Sequence, residues 1–136
     1  YGNSLRQRLS EKDGTPCFDL VLLGMGIDGH TASLFPGSTA LQERQRLAVA
    51  VAAQYQDRPA SRVTLTLPAL NTARQVLFLV TGSAKASVVQ AVLQGPAPDG
   101  SGSVRADDLL PAQQIRPVAG KLTWLIDAAA ASQLGR

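Results

Sequence analysis

Short apolar runs alternate with glycine- and proline-marked breaks along the chain, and their order predicts strands and helices in turn. Phe18-Asp19-Leu20-Val21-Leu22-Leu23 lies between Gly14/Pro16 and Gly24 and predicts a buried strand of a parallel sheet. Residues 24–29 form a glycine-rich loop. Residues 30–34 have room for only a short helix before Phe35-Pro36-Gly37 stops it. Residues 47–53 suit a strand, although their alanines are also compatible with helix. Residues 62–67 alternate and are β-rich, a strand ended by Pro68, after which 68–74 predicts a short helix opening on proline. Residues 76–80 are a second strongly apolar strand. Ser83 is placed to cap a helix running to Gln94, with Ala86, Val89, Val92 and Leu93 on one face. Residues 95–103, rich in glycine and proline, read as a surface loop. Residues 122–126 predict a last strand, and Asp127 is placed to cap a final alanine-rich helix. Residues 5–11 read as the tail of a helix. Strands alternating with helices specify an α/β fold, a Rossmann-like, mostly parallel sheet flanked by helices.

Composition narrows the function classes. The 136 residues are about one small domain, and 45% of them are apolar, a share that excludes a disordered or collagen-like chain. The net charge of +3 is a mild excess. The basic residues are scattered, and none of the six aromatics interleaves with a basic run, so no nucleic-acid platform is expected. Cys17 is the single cysteine, which excludes an internal disulfide framework and a cysteine-rich zinc site. No run is long enough to cross a bilayer and no signal-peptide pattern is visible, so the expected setting is soluble, reducing and cytoplasmic.

The candidate chemistry sits in the glycine loop. Gly24-Met25-Gly26-Ile27-Asp28-Gly29 matches G-x-G-x-x-G after a strand, which raises a dinucleotide site. Two features count against it. Pro36-Gly37 cuts off the crossover helix that the fingerprint needs. Glu43, the nearest acidic candidate for the ribose, lies before the next strand rather than at its end. What remains is a loop at the carboxyl end of a strand, leading into an expected helix N-terminus, where an anion or developing oxyanion is favoured. His30, the only histidine, and Asp28 lie in this loop. A neutral imidazole there can act as a general base, with Asp28 orienting it. The competing account makes His30 a capping or packing residue and Asp28 a turn former.

Other features are less specific. Thr81-Gly82-Ser83-Ala84-Lys85 again places backbone donors and a cation at a strand's carboxyl end, which suits phosphate, or equally an ordinary turn with a solvated lysine. Arg62 opens a strand before Thr64 and Thr66 and, taken alone, reads as solvent-facing. Trp124 is expected in the core, and Cys17 as inert packing.

Residues 18–37, from Phe18 through Gly24-Met25-Gly26-Ile27-Asp28-Gly29-His30-Thr31-Ala32-Ser33-Leu34-Phe35-Pro36-Gly37, closely resemble the signature of the 6-phosphogluconolactonase family. Residues 62–71, 77–82 with Lys85-Ala86, and 124–127 with Ala129-Ala130 resemble later blocks of that family in the same order. The resemblance implies the fold shared with glucosamine-6-phosphate deaminases and ribose-5-phosphate isomerases. It also implies hydrolysis of 6-phospho-D-glucono-1,5-lactone in the oxidative pentose phosphate pathway, with no metal or organic cofactor. By the same resemblance His30 is the general base, Asp28 its neighbour and Lys85 a phosphate ligand. Gly24, Gly26, Gly29 and Arg62 complete the candidate substrate- and phosphate-binding set. Thr31-Ala32-Ser33-Leu34-Phe35-Pro36 favours the lactonase over an isomerase or deaminase of the same fold; an inert sugar-phosphate-binding domain is the alternative from another class. The family's N-terminal half, with its glycine-rich turn and arginine segment, has no counterpart here. Residues 1–136 are therefore expected to be the C-terminal portion of one such domain, with the missing N-terminal half as its partner.

Overall fold

The computed structural model describes residues 1–12, 15–52, 60–96 and 104–135. Its centre is a three-stranded parallel sheet. β3 (Val21–Leu23) pairs with β6 (Gln75–Val80), which pairs with β7 (Lys121–Ile126), in the order β3-β6-β7. Two further strand pairs are antiparallel and separate: β1 (Ser10–Lys12) with β2 (Thr15–Cys17), and β4 (Ala48–Ala52) with β5 (Ser61–Leu65). The α-helices among the described residues are α1 (Gly2–Arg8), α2 (Leu67–Asn71) and α3 (Ala86–Gln94). The expected α/β class holds, with parallel pairing confined to the central three strands.

Alternation within β6 sorts the sheet into two unlike faces. Val76, Phe78 and Val80 are buried and share one cluster with Val21, Leu23, Val88, Val89, Leu34 and Leu70. Burying a side chain of this size contributes about 1.5–3 kcal/mol. Trp124 packs on this side, its ring stacked on Phe78 with centroids 4.0 Å apart and planes 4° from parallel. The register puts Leu22 beside Leu77, and Leu79 beside Leu125, on the opposite face. There Leu22 is 59% exposed, Leu79 49% and Leu125 52%. The expected strand 18–23 is thus shorter than its apolar run and buried on one side only, with Leu20 also 52% exposed.

Several local expectations are corrected. Residues 30–34 form turns with an isolated Thr31–Leu34 bridge and no helix. Ala32 stands at φ 51°, a left-handed conformation that a right-handed helix cannot contain. Residues 10 and 11 leave the helix for β1, so α1 ends at Arg8. α2 begins at Leu67 with Thr66 as its N-cap, one residue before the proline. Ser83 lies in a 3-10 turn, Ser83–Lys85, and does not cap α3; Leu93 is on the exposed side of that helix. The alanine-rich segment after Asp127 is a series of turns, although the Asp127 carboxylate does accept the Ala130 N–H at 2.8 Å. Cys17 is buried, and its thiol donates to the Thr72 carbonyl at 2.9 Å. Of the loop 95–103, residues 97–103 lie outside the described residues.

Candidate active site

β3 and β6 are parallel neighbours, so the loops that leave their carboxyl ends emerge side by side. This places the two segments singled out in the sequence against each other. The Lys85 Nζ donates to the main-chain carbonyl of Met25, inside the glycine loop, at 2.6 Å. Lys85 is half-buried there rather than a solvated lysine.

Within the loop, the His30 Nδ1 lies 2.6 Å from the Asp28 Oδ1, which also accepts the His30 N–H at 3.1 Å. An ionised carboxylate only accepts, so the ring proton is assigned to Nδ1, and a neutral ring carries its lone pair on Nε2. Burial pushes the Asp28 carboxyl up, but the hydrogen bonds from the His30 side chain and backbone and the His30 charge together hold it below its ordinary value of 3.8. Asp28 therefore stays ionised at neutral pH and is placed to stabilise an imidazolium. His30 is the more enclosed of the two, its side chain 14% exposed against 37% for Asp28.

The loop is held from several sides. The Gly26 N–H donates to the His30 carbonyl at 2.9 Å, and the Gly29 N–H to the Gly26 carbonyl at 3.1 Å. Both amide protons are thus spent inside the loop, and with no helix following it, neither these two N–H groups nor a helix dipole is on offer to an anion here. Gly24 contributes through its carbonyl, which accepts the Thr31 hydroxyl at 2.8 Å. Gly29 has φ 78°, its Cα side closed by Leu110, and its carbonyl accepts the Ala112 N–H at 3.0 Å.

Three contacts were not visible in the sequence. The Phe35 ring lies against His30, centroids 4.6 Å apart. The Arg62 guanidinium sits 5.6 Å from the Phe35 centroid, within cation–π range, so Arg62 is half-buried over an aromatic ring and does not face solvent as expected. The Ser33 N–H donates to the buried Thr64 Oγ1 at 3.1 Å, tying the loop to β5. The residues themselves fall in two family blocks, 18–37 and 62–71, but nothing in either block points to the contacts between them. The structure therefore brings Asp28, His30 and Lys85 to one end of the sheet, with Arg62 reaching the same loop through Phe35. Among the described residues, no three His, Cys, Asp or Glu side chains come together to hold a metal ion.

A histidine–carboxylate pair, and a lysine bonded to the same loop, thus stand at the carboxyl end of a parallel sheet, the place where α/β folds bind ligands. The profile of the glucosamine-6-phosphate isomerases/6-phosphogluconolactonase family matches residues 1–124, and the chain belongs to that family. Within it, the chain is 43% identical over 134 residues to the 6-phosphogluconolactonase of Bos taurus and 44% identical to that of Homo sapiens, covering 98% of this chain and 48% of each relative. A solved 6-phosphogluconolactonase from Trypanosoma brucei superposes with a TM-score of 0.78 at 33% identity, over 99% of this chain and 51% of that one. A monomeric glucosamine-6-phosphate deaminase, at 24% identity and TM-score 0.65, shares the fold. The chain spans about half the length of the curated relatives it matches. No helix among the described residues is long and apolar enough to cross a membrane.

Proposed function

We propose that this chain carries the catalytic half of a 6-phosphogluconolactonase, which hydrolyses 6-phospho-D-glucono-1,5-lactone to 6-phosphogluconate. The observation that carries the reading is the His30–Asp28 pair at 2.6 Å in a loop that Lys85 touches directly. The His30 Nε2 takes a proton from water as the water oxygen bonds to the lactone carbonyl carbon. The tetrahedral intermediate then collapses, the ring oxygen leaves, and the imidazolium returns the proton to it. One water is consumed and one carboxylic acid formed. Asp28, accepting from Nδ1, holds the ring in this tautomer and stabilises its charged form.

Lys85 holds the remote phosphate as a point cation, and Arg62 is the second cation close to the loop. Binding energy at the phosphate fixes the reacting carbon against the base. The lactonase is preferred to an isomerase or deaminase because the relatives that are 43–44% identical are lactonases by name, whereas the deaminase likeness extends to the fold alone. The reading takes with it a cytoplasmic setting, in keeping with the lone Cys17 thiol, and a second half of the protein that completes the phosphate site.

The test is His30→Ala and His30→Asn in the chain joined to the half that its relatives carry. Both are expected to lower lactone hydrolysis by about 10²–10⁴, the share of general acid–base catalysis. Near-normal turnover in both would remove His30 from the mechanism.

A further inference from the structure

Lys85 is delivered to the glycine loop by a turn that a neighbouring strand anchors. β6 ends at Val80, and the chain turns at Gly82, whose φ is 93°, before the Ser83–Lys85 turn and α3 begin. That turn has no side-chain cap of its own. A side-chain anchor comes instead from the end of another strand. At the end of β7, both oxygens of the Asp127 carboxylate lie 3.1 Å from the Gly82 nitrogen and accept its N–H. The Asp127 N–H in turn donates to the Val80 carbonyl at 3.2 Å, and its Oδ1 accepts the Ala130 N–H at 2.8 Å. Asp127 is therefore fixed at main chain and side chain together. The Lys85 N–H closes the turn on the Gly82 carbonyl at 3.0 Å, and the Lys85 Nζ reaches Met25.

We propose that Asp127 is a positioning residue for Lys85: its carboxylate clamps the Gly82 N–H and so sets where the lysine ammonium stands beside the glycine loop. The proposal rests on the lactonase reading for the identity of the ligand. It does not make Asp127 a catalytic residue, because the groups it bonds, on Gly82, Val80, Ala130 and Ala131, are all main-chain atoms. A hydrogen bond to a charged acceptor is stronger than a neutral one, and a Gly82 N–H left without it loses the restraint that keeps the turn in one conformation. The effect should fall on ligands that use the lysine and spare chemistry that does not.

The experiment compares Asp127→Ala and Asp127→Asn, in the chain joined to its relatives' other half, on 6-phosphogluconolactone and on unphosphorylated gluconolactone. Asp127→Ala is expected to raise KM for the phosphorylated lactone about tenfold, in line with losing one charge-assisted hydrogen bond, with kcat nearly unchanged. Its kcat/KM on the unphosphorylated lactone should stay close to that of the unsubstituted protein. Asp127→Asn keeps an amide oxygen as acceptor and should recover part of the loss. Hydrogen exchange at the Gly82 amide should accelerate in Asp127→Ala and less in Asp127→Asn. Equal losses on both lactones, or an unchanged KM with an exposed Gly82 amide, would overturn the proposal. Absence of turnover in the unsubstituted protein would instead remove the lactonase reading. In that event, calorimetric affinity for 6-phosphogluconate decides the clamp, and equal affinity in Asp127→Ala and the unsubstituted protein overturns it.

Discussion

The imidazole of His30 occupies the space that a side chain on Gly26 would need. A Cβ built on Gly26 overlaps the His30 ring at Nδ1 and Cε1 and lies 2.6 Å from the Asp28 Oδ1. The glycine is there so that backbone and histidine can approach this closely, with the Gly26 N–H bonded to the carbonyl of the same histidine.

Gly26→Ala must therefore push the imidazole off Asp28. Displacing a catalytic group by about 1 Å can cost on the order of 10²-fold in rate, and a loss of that size in kcat is expected with the thermal midpoint lowered only modestly. Kinetics beside a thermal melt check this. Full activity in Gly26→Ala would mean that the base does not need its present seat.

Lys85→Ala should separate the two ends of the substrate. A point cation acts through the phosphate and not through the reacting carbon, so kcat/KM should fall far more for 6-phosphogluconolactone than for gluconolactone. Parallel kinetics on both lactones measure the ratio. Equal losses would show that the lysine serves the fold through its bond to Met25.

Asp28 gives a pH signature in stability. Its carboxyl is held below the ordinary 3.8 in the folded state. A group with a depressed folded value contributes its stability in full above the unfolded value and loses it as pH falls through the folded one. The stability advantage of the parent over Asp28→Asn should thus be present at about pH 5 and shrink as the pH falls below 3.8. Denaturant titrations across that range test the sign, and an advantage that grows on acidification would contradict it.

The open sheet face should make residues 1–136, expressed alone, associate. Leu22, Leu79 and Leu125 present neighbouring apolar surface on a parallel sheet, an architecture whose two faces are ordinarily both covered. Sedimentation should show concentration-dependent self-association, reduced by Leu79→Glu or Leu125→Glu. A monomer at every concentration would show that this face tolerates water.

What the sequence made legible follows from how local each determinant is. β6 and β7 were readable because continuous apolar runs such as Val76-Leu77-Phe78-Leu79-Val80 have no competing period. Asp28, His30 and Lys85 were readable as a motif and a neighbouring cation. The missing helix after the glycine loop was not, because Ala32 has good helix propensity and its left-handed φ is imposed by the Thr31 hydroxyl bond to Gly24 and the turn to Leu34. The alanine-rich tail misled for the same reason: propensity alone does not nucleate a helix in so short a segment. β1 and β2 show no alternation, and their pairing depends on the chain doubling back. The contact of Arg62, Phe35 and His30 joins two distant segments and no spacing encodes it.

The bond from Lys85 to the Met25 carbonyl fastens the cation to the loop that carries His30. The two loops already rise from adjacent strands, whose separation the sheet's hydrogen bonds set. The imidazole of His30 and the ammonium of Lys85 are thus spaced by two adjoining strand ends. For a ligand that engages both, length becomes a criterion of its own: a molecule too short to span them reaches the ammonium or the imidazole, not the two together. Selection by span needs no wall around the ligand, which suits a site built at an open strand end.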